Sequence, residues 1–311
     1  MLLNSVLQLP DSEEKFVDAN EISQRFMTIL DDFGIEEKLI KVNKSKDKFS
    51  GYEISSIKVK VPKDLSIPEI LLDIYQSYRK DSLRIYSLEK LKGSKSTLVL
   101  MDGKSEVLRA EFDYSKNIIR NKGSLAFIIK DVDPGYSATV SLIESSTKLN
   151  FLIRPDSKFI RNLDLIKENG KQFSILIDDD TREQKYKLGP GYSEQRVVAV
   201  VKTLVTDFAS GVYFVIDDKS EFYNSSNREV LSRELSKRNI KLLTFKNFVQ
   251  LDNNENLIDN FYLGIENVIG NEGATFLLDE DAYQSIIPEI KKFEKRGYRV
   301  INSSLLLQFK K

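Results

Sequence analysis

Hydrophobic and polar residues follow clear periods in the first third of the chain. Between residues 20 and 33 apolar residues fall three or four positions apart and Gly34 follows them, which predicts an amphipathic helix. Residues 41–50 are polar and rich in lysine, and we interpret them as a loop with solvated charges. Residues 54–61 alternate between apolar and polar up to Pro62, as expected for a half-buried strand.

The same module continues with a second helix and three strands. Residues 66–78 predict a helix with Pro68 in its first turn. Strands are predicted over residues 83–88, 97–102 and 106–112, and Asp102-Gly103 between the last two is a hairpin signal. We therefore expect a small α+β domain over residues 1–117, which we interpret as a spacer or protein-contact module because nothing in it indicates catalysis.

From Gly123 onward, strands alternate with helices, which is typical of a parallel sheet or barrel with crossover helices. Ser193 is the expected N-cap of the clearest helix. We assign residues 118–311 to this second domain. Its predicted strands cover residues 125–129, 149–153, 173–177, 212–216, 241–245, 274–278 and 298–301, and its predicted helices cover residues 158–167, 193–209, 228–238, 257–268 and 283–296.

Composition excludes several kinds of chemistry. The 311-residue chain has no histidine and no cysteine, so its side chains cannot form a histidine-ligated zinc site, a Ser-His-Asp triad or a thiol nucleophile. Only oxygen ligands remain, which suit Mg²⁺ or Ca²⁺. Lysine plus arginine and aspartate plus glutamate both number 47, so no overall field attracts nucleic acid, and we expect no nucleic-acid partner.

Acidic residues follow four of the predicted strands in the second domain. Because the carboxyl ends of parallel strands share one edge, these side chains are expected to converge and either hold a hard cation or act as an acid–base pair. The alternative is that each one caps the helix that follows it. The catalytic candidates are Asp131, Asp178 and Asp217, and the candidates for ligand binding are Lys130, Asp133, Asp179, Asp218 and Tyr192.

Two weaker features accompany these carboxylates. Gly189 and Gly191 lack the glycine spacing of a nucleotide-binding loop. Tyrosines are placed where they suit either a sugar-binding groove or the edge of the core. These tyrosines are Tyr136, Tyr186, Tyr192, Tyr213 and Tyr223.

The order of segments in the second domain resembles the divergent polysaccharide deacetylase family. The likeness covers residues 123–307 and is carried by order and spacing, in the runs GSLAFIIKDVD, LNFLIRPDSKF, ENGKQFSILIDD, ASGVYFVIDDKS, GATFLLDED and KKFEKRGYRVIN. The resemblance implies an irregular (β/α) barrel and an exported protein of the cell envelope, hence a periplasmic or extracytoplasmic location. The leading module also resembles the extra N-terminal domain of some members.

The metal-binding motifs of that family are largely missing. Where the resemblance implies two adjacent aspartates, a general base and a metal ligand, this chain has Lys130 and Asp131, so only the second is kept. The two histidine motifs correspond to the regions of residues 177–179 and 216–220, and both histidines are absent. The zinc-activated water of the family therefore cannot be formed.

Three hypotheses follow from these observations. The first is a catalytically degenerate deacetylase-like protein that binds a polysaccharide or an envelope protein and needs no cofactor. The second is a working hydrolase whose carboxylates hold Mg²⁺ or Ca²⁺, and the third is a structural protein without affinity for glycans. Residues 1–10 show a short apolar run without a basic lead, so we recognise no export signal or membrane span there and expect either a cytoplasmic protein or one whose export segment has been removed.

Overall fold

The computed structural model describes residues 19–46, 53–89, 95–115, 117–120, 122–133, 135–267 and 273–309. The chain divides into two compact units. The first ends at Arg120 and also takes in Lys295–Gly297, and the second comprises Asn121–Glu294 and Tyr298–Lys311. Residues 1–10, where we looked for an export signal, lie outside the described residues.

The first unit contains one mixed sheet and two helices. The elements are α1 (Ala19–Asp32), β1 (Ile40–Lys46), β2 (Glu53–Pro62), α2 (Ile67–Tyr78), β3 (Arg84–Glu89), β4 (Lys95–Asp102) and β5 (Ser105–Ser115). The five strands lie in the order β1-β2-β5-β4-β3, and only the β2–β5 pair is parallel. The predicted helices, strands and Asp102-Gly103 hairpin are confirmed.

Alternation along the strands of the first unit decides which side chains reach its core. Ile57, Val59 and Val61 are buried with the apolar faces of α1 and α2, while Lys58 and Lys60 between them are exposed. Burying one face of the sheet against two helices removes apolar surface from water and stabilises the unit at roughly 25 cal/mol per Å².

One prediction for the first unit is wrong. Residues 41–46, the first part of the expected loop, lie in strand β1, which pairs antiparallel with β2 from Ile40 opposite Val59 to Lys46 opposite Glu53. An edge strand with both faces largely exposed has no apolar alternation to reveal it, and lysines are common on such edges because they discourage pairing with other chains. Residues 47–50 lie outside the described residues.

The second unit alternates strands and helices as predicted. Its strands are β6 (Gly123–Ile129), β7 (Asn150–Ile153), β8 (Gln172–Ile177), β9 (Phe214–Ile216), β10 (Leu242–Thr244), β11 (Val249–Leu251), β12 (Gly273–Leu278) and β13 (Tyr298–Val300). Its α-helices are α3 (Ser137–Glu144), α4 (Leu163–Glu168), α5 (Glu194–Asp207), α6 (Asn227–Ser236), α7 (Leu257–Glu266), α8 (Glu280–Arg296) and α9 (Ser303–Phe309).

All of these strands are parallel and form a curled half-barrel in the order β10-β9-β8-β7-β6-β12-β11. The first strand, β6, is shared unevenly: Gly123–Leu125 pair with β13, whereas Ile128 and Ile129 pair with β7. The predicted α/β class, an irregular parallel barrel-like sheet with a smaller separate domain, is confirmed.

The two faces of the curled sheet have different neighbours. Leu125, Phe127 and Ile129 alternate outward along β6 and belong to the large core that includes the helices. Ile128 points to the opposite face and packs in a small separate cluster with Leu152 of β7 and Leu307 of α9. The near-continuous apolar strands are therefore explained by burial on both faces.

Helix α9 closes the amino-terminal end of the strands. A side chain at Gly273, the first residue of β12, would place its Cβ against Leu306 and 2.5 Å from the carbonyl oxygen of Ser124, so only glycine permits this approach. Gln172 donates to Ser304 Oγ at 2.6 Å, and the hydroxyls of Tyr213 and Ser303 lie 2.8 Å apart. Burial raises the pKa of Tyr213 to about 12, so its hydroxyl stays neutral.

The structure also differs from the prediction in the second unit. Helix α3, strand β11 and helix α9 are too short for a clear period and were not predicted. The helix expected over residues 158–167 is instead a 3₁₀ turn, Ser157–Asn162, followed by α4. Asp156 begins that turn, because its side chain accepts a hydrogen bond from the Lys158 N–H at 2.9 Å.

Candidate ligand site at the carboxyl ends of the strands

A cavity of about 260 Å³ opens at the carboxyl ends of β6, β7 and β8. Leu152 and Leu176, which alternate onto the inner face of the sheet, contribute apolar surface to it. Ligand sites in parallel α/β folds usually lie at this end, because the loops that follow the strands converge there. The other lining residues are Asp131, Val132, Asp133, Arg154, Pro155, Asp156, Lys158, Phe159 and Arg182.

An ion pair between Arg154 and Asp178 lies at this cavity. Nε and Nη2 of Arg154 are 2.7 and 2.6 Å from Oδ2 of Asp178, whose side chain is only 7% exposed. The Thr181 hydroxyl donates to the other carboxylate oxygen at 3.1 Å. Burial alone lowers the pKa of Arg154, but hydrogen bonding and the charge of Asp178 outweigh it and raise the pKa, so the guanidinium stays charged.

Two further carboxylates face the same guanidinium at longer range. Nη2 of Arg154 lies 4.0 Å from Oδ1 of Asp131 and 3.7 Å from Oδ2 of Asp180. Asp131 has a backbone φ of 55°, in the left-handed region that non-glycine residues seldom adopt. Aspartate tolerates this conformation better than most residues, and such positions are often found at ligand sites.

The loop after β7 is held over the cavity by polar contacts. Lys158 Nζ lies 3.1 Å from Asp133 Oδ2, and the Gly135 N–H donates to the other oxygen of Asp133 at 2.9 Å. Burial by itself raises the pKa of Asp133, but these two hydrogen bonds outweigh it and lower the pKa below its ordinary value. Ser157 donates its N–H and its hydroxyl to Glu183, both at 2.6 Å. The loop is therefore anchored to the segment that carries Arg182.

The remaining predicted residues have other roles in the structure. Asp217 accepts a hydrogen bond from the Lys219 N–H at 2.9 Å, Asp218 pairs with Lys246 at 3.1 Å, and Asp179 accepts from the Glu221 N–H at 2.7 Å. Asp217 therefore orders its own turn, whereas Asp179 and Asp218 connect the turn after β9 to the segments after β8 and β10. Thus Asp131, Asp133 and Asp178 are at the cavity or its ion pair, and the other three aspartates are not.

Lys130, Tyr192 and the other tyrosines are not among the cavity-lining residues of the described chain. The N–H of Lys130 donates to the carbonyl of Leu278, which extends the pairing of β6 with β12. Tyr192 stacks under Arg196, with the guanidinium carbon 5.6 Å from the ring centre. Tyr186 and Tyr213 are buried in the core. The core-edge interpretation therefore suits Tyr186, Tyr192, Tyr213 and Tyr223 better than a sugar groove, whereas Tyr136 is exposed.

A helix cap explains one strand-end carboxylate outside the cavity. Oδ1 of Asp279 accepts a hydrogen bond from the Ala282 N–H at 2.8 Å, in the first turn of α8. This is the capping role proposed as the alternative to a functional site. The next residue, Glu280, accepts a hydrogen bond from the Thr139 hydroxyl in α3 at 3.1 Å, which connects the start of α8 to α3.

The residues present do not fit the zinc implied by the family resemblance. The chain has no histidine, and within the described residues no three histidine, cysteine, aspartate or glutamate side chains come together as a metal-binding group. Where a cation would have to sit between Asp131 and Asp178, the Arg154 guanidinium is already present. Arginine cannot be deprotonated in proteins and cannot ligate a metal, so it replaces the charge of a cation without its chemistry.

Sequence reasoning missed the cationic half of this site. Arg154 follows β7 as Asp131 follows β6 and Asp178 follows β8, so the same strand-end rule would have found it. Arg182 lies in a loop without periodicity and carries no comparable signal.

Comparison with known proteins points to one group of structures. No protein-family model matches the chain. No curated protein is similar enough in sequence to count as a relative.

Solved structures similar to the chain are polysaccharide deacetylases of carbohydrate esterase family 4, including pseudoenzymes, at low identity. A family 4 pseudoenzyme from Bacillus anthracis is 11% identical with a TM-score of 0.39, covering 76% of this chain and 94% of its own. The family 4 carbohydrate esterase from Streptomyces lividans is 10% identical with a TM-score of 0.40, covering 60% and 96%. A peptidoglycan deacetylase from Bacillus subtilis is 16% identical with a TM-score of 0.38, covering 60% and 90%. At this level of similarity, the activity of this chain has to be argued from its own residues.

The longest helix in the described part of the chain, α8, has 17 residues. None of the helices in that part of the chain combines the length and apolar content that crossing a bilayer requires.

Proposed function

We propose that the second unit binds a saccharide at the carboxyl-end cavity and does not catalyse its deacetylation. The observation that carries this proposal is the Arg154–Asp178 ion pair, which supplies a fixed positive charge where a catalytic cation would be needed. A guanidinium holds and orients a ligand, but it generates no nucleophilic water.

The chemistry of the cavity lining favours a polar ligand rich in hydroxyl groups. Three basic residues, Arg154, Lys158 and Arg182, face three carboxylates, Asp131, Asp133 and Asp156, above an apolar floor. A sugar hydroxyl both donates and accepts hydrogen bonds, so it can use donors and acceptors placed side by side. Balanced charges also suit a ligand with little net charge. An envelope location for this activity stays a prediction from the family resemblance.

Glycan-array screening followed by calorimetry with the best-bound oligosaccharide tests the binding. Arg182 is exposed and has no ion pair among the described residues, so its replacement leaves the fold intact. We expect Arg182→Gln to weaken binding by roughly tenfold, because one hydrogen bond to a charged group contributes about 1.5 kcal/mol or more. Arg161→Gln, which removes an exposed arginine outside the cavity lining, is the matched control and should bind normally.

Acetate release tests the catalytic half of the proposal. Incubation of the full chain with acetylated chito-oligosaccharide, with and without Zn²⁺, Mg²⁺ or Ca²⁺, should release no acetate above buffer. Saturable release that Asp178→Asn abolishes would instead support the working hydrolase with a carboxylate-held cation. Absence of binding to every glycan on the array would favour the purely structural hypothesis.

A further inference from the structure

A second cavity lies in the first unit, on strands β1, β2, β4 and β5. It has a volume of about 340 Å³, and five lysines line it together with two carboxylates. We call this cavity the lysine groove. Its charged lining residues are Lys38, Lys41, Lys58, Lys60, Lys95, Glu111 and Asp113.

The two carboxylates of the lysine groove neutralise only part of its charge. Asp113 lies 2.7 Å from Lys60 and 3.9 Å from Lys95, so one carboxylate is shared by two lysines. Glu111 lies 3.9 Å from Lys58, and Glu36, outside the lining, lies 2.5 Å from Lys38. Hydrogen bonding from Lys60 lowers the pKa of Asp113, which keeps this carboxylate charged and still leaves an excess of positive charge in the groove.

Strand pairing places two of these lysines against each other. Lys41 of β1 is directly opposite Lys58 of β2 in the antiparallel register, and both side chains are exposed. Like charges directly opposite each other on neighbouring strands are destabilising. Lys41 lies on an edge strand, where a lysine discourages pairing with other chains, but Lys58 lies on the interior strand β2, which needs no such protection. Local rules broken in this way are expected at functional or strained sites.

The composition of the groove indicates what kind of anion it suits. Lysines are flexible point charges that attract an array of negative groups without the paired geometry that arginine imposes. Neighbouring strands are spaced about 4.8 Å apart. The register places Lys41 beside Lys58 across β1 and β2. It places Lys60 and Lys95 on either side of Asp113 across β2, β5 and β4, so the positive charges spread over the width of the groove and can meet several anionic groups of one chain. Phe112, the aromatic residue of this lining, is buried, so no ring is presented for stacking of nucleic acid bases.

We propose that the lysine groove binds an acidic polysaccharide through the repeated carboxylates of its sugar chain. Thr97 supplies a half-buried hydroxyl beside the lysines for contact with sugar hydroxyls. This proposal concerns the first unit and stands independently of saccharide binding in the second.

The test measures binding of polygalacturonate to the full chain at increasing NaCl, with dextran as the neutral polysaccharide. We expect saturable binding to polygalacturonate that weakens as salt rises, and no salt-dependent binding of dextran that the groove variants change. The triple variant Lys41→Gln, Lys58→Gln, Lys95→Gln should lose roughly tenfold or more in affinity, since charge neutralisation supplies the binding energy.

Matched variants make the result specific to the groove. The triple variant Lys63→Gln, Lys80→Gln, Lys104→Gln removes the same number of exposed lysines outside the groove lining and should bind like the wild type. Arg182→Gln should also bind polygalacturonate normally, which separates this proposal from the site in the second unit. Equal losses in both triple variants, or no binding at low salt, would overturn the proposal. Tighter groove-dependent binding of duplex DNA or phosphatidylglycerol vesicles would overturn the choice of polysaccharide.

Discussion

The two ends of the parallel sheet in the second unit are closed by different chemistry. At the amino end, α9 packs Leu306 and Leu307 against the strands and adds neutral hydrogen bonds such as the one between Tyr213 and Ser303. At the carboxyl end, charged side chains surround an open cavity. Apolar packing excludes water and contributes stability, whereas charges that remain partly hydrated contribute little stability and stay available to a ligand.

The largest expected effect lies at the amino end. Leu307→Ala should lower the free energy of unfolding by about 2 to 5 kcal/mol, because it leaves a cavity in the small inner cluster. Leu305→Ala, on the exposed side of the same helix, should cost less than about 1 kcal/mol. Urea unfolding measures both. Equal losses would contradict the packing of α9 against the amino ends of the strands.

The next effect separates stability from binding at the carboxyl end. Asp178→Asn should cost about 1 to 2 kcal/mol, less than a fully buried ion pair, since the Arg154 side chain is 37% exposed and water compensates part of the loss. Asp180→Asn, at a side chain that is 83% exposed, should have little effect. Denaturant unfolding decides whether Asp178 differs from its neighbour. A larger loss than for Leu307→Ala would contradict the contrast between the two ends.

A smaller effect concerns pH and the loop that covers the cavity. Burial raises the pKa of Glu183, but the two hydrogen bonds from Ser157 outweigh it and lower the pKa below its ordinary value of 4.5. A lowered folded-state pKa stabilises the protein above the unfolded-state pKa, and this stabilisation is lost as pH falls through the folded-state value. The wild type should therefore exceed Glu183→Gln in stability at pH 6 and lose that advantage as pH falls below the ordinary glutamate value and through the lower folded-state pKa.

Unfolding curves at several pH values test this, with Glu168→Gln as the control at an exposed glutamate of the same unit. The control should keep the pH dependence of the wild type, because Glu183 is intact. If Glu183→Gln kept it as well, the Ser157 contact would not anchor the loop.

The smallest effect distinguishes a capping carboxylate from those at the cavity. Asp279→Ala should cost about 1 kcal/mol through loss of the helix cap and leave saccharide binding unchanged. Asp281→Ala, exposed in the first turn of α8, should cost only a few tenths of a kcal/mol. Thermal unfolding measures the stability and calorimetry the saccharide binding. A loss of binding in Asp279→Ala would show that Asp279 belongs to the binding site.

Prediction from sequence succeeded where periodicity was strong. Helices α1, α5 and α8 and the apolar strands of the second unit repeat their pattern over enough residues to be recognised. Strand β1 was missed because its side chains are exposed on both faces, and α9 because a seven-residue helix spans too few turns. The 3₁₀ turn at Ser157–Asn162 was missed because the Asp156 side chain competes locally with helix formation.

The candidate site was predicted in part. When strands and helices alternate, the strands are parallel and the residues that follow them share one edge of the sheet. This rule located Asp131, Asp133 and Asp178. Their partner Arg154 and the separate role of Asp217 depend on which side chains turn toward each other after the strand ends. Short-range sequence patterns do not encode those directions.

By itself, the sequence determined the fold class of the second unit and the absence of imidazole and thiol chemistry, because hydrophobic period and residue identity are properties of the chain before it folds. Only the tertiary structure decided that a guanidinium stands between Asp131 and Asp178 and that lysines of β1 and β2 face each other. Both arrangements join residues distant in sequence, and electrostatic energy depends on their separation in space.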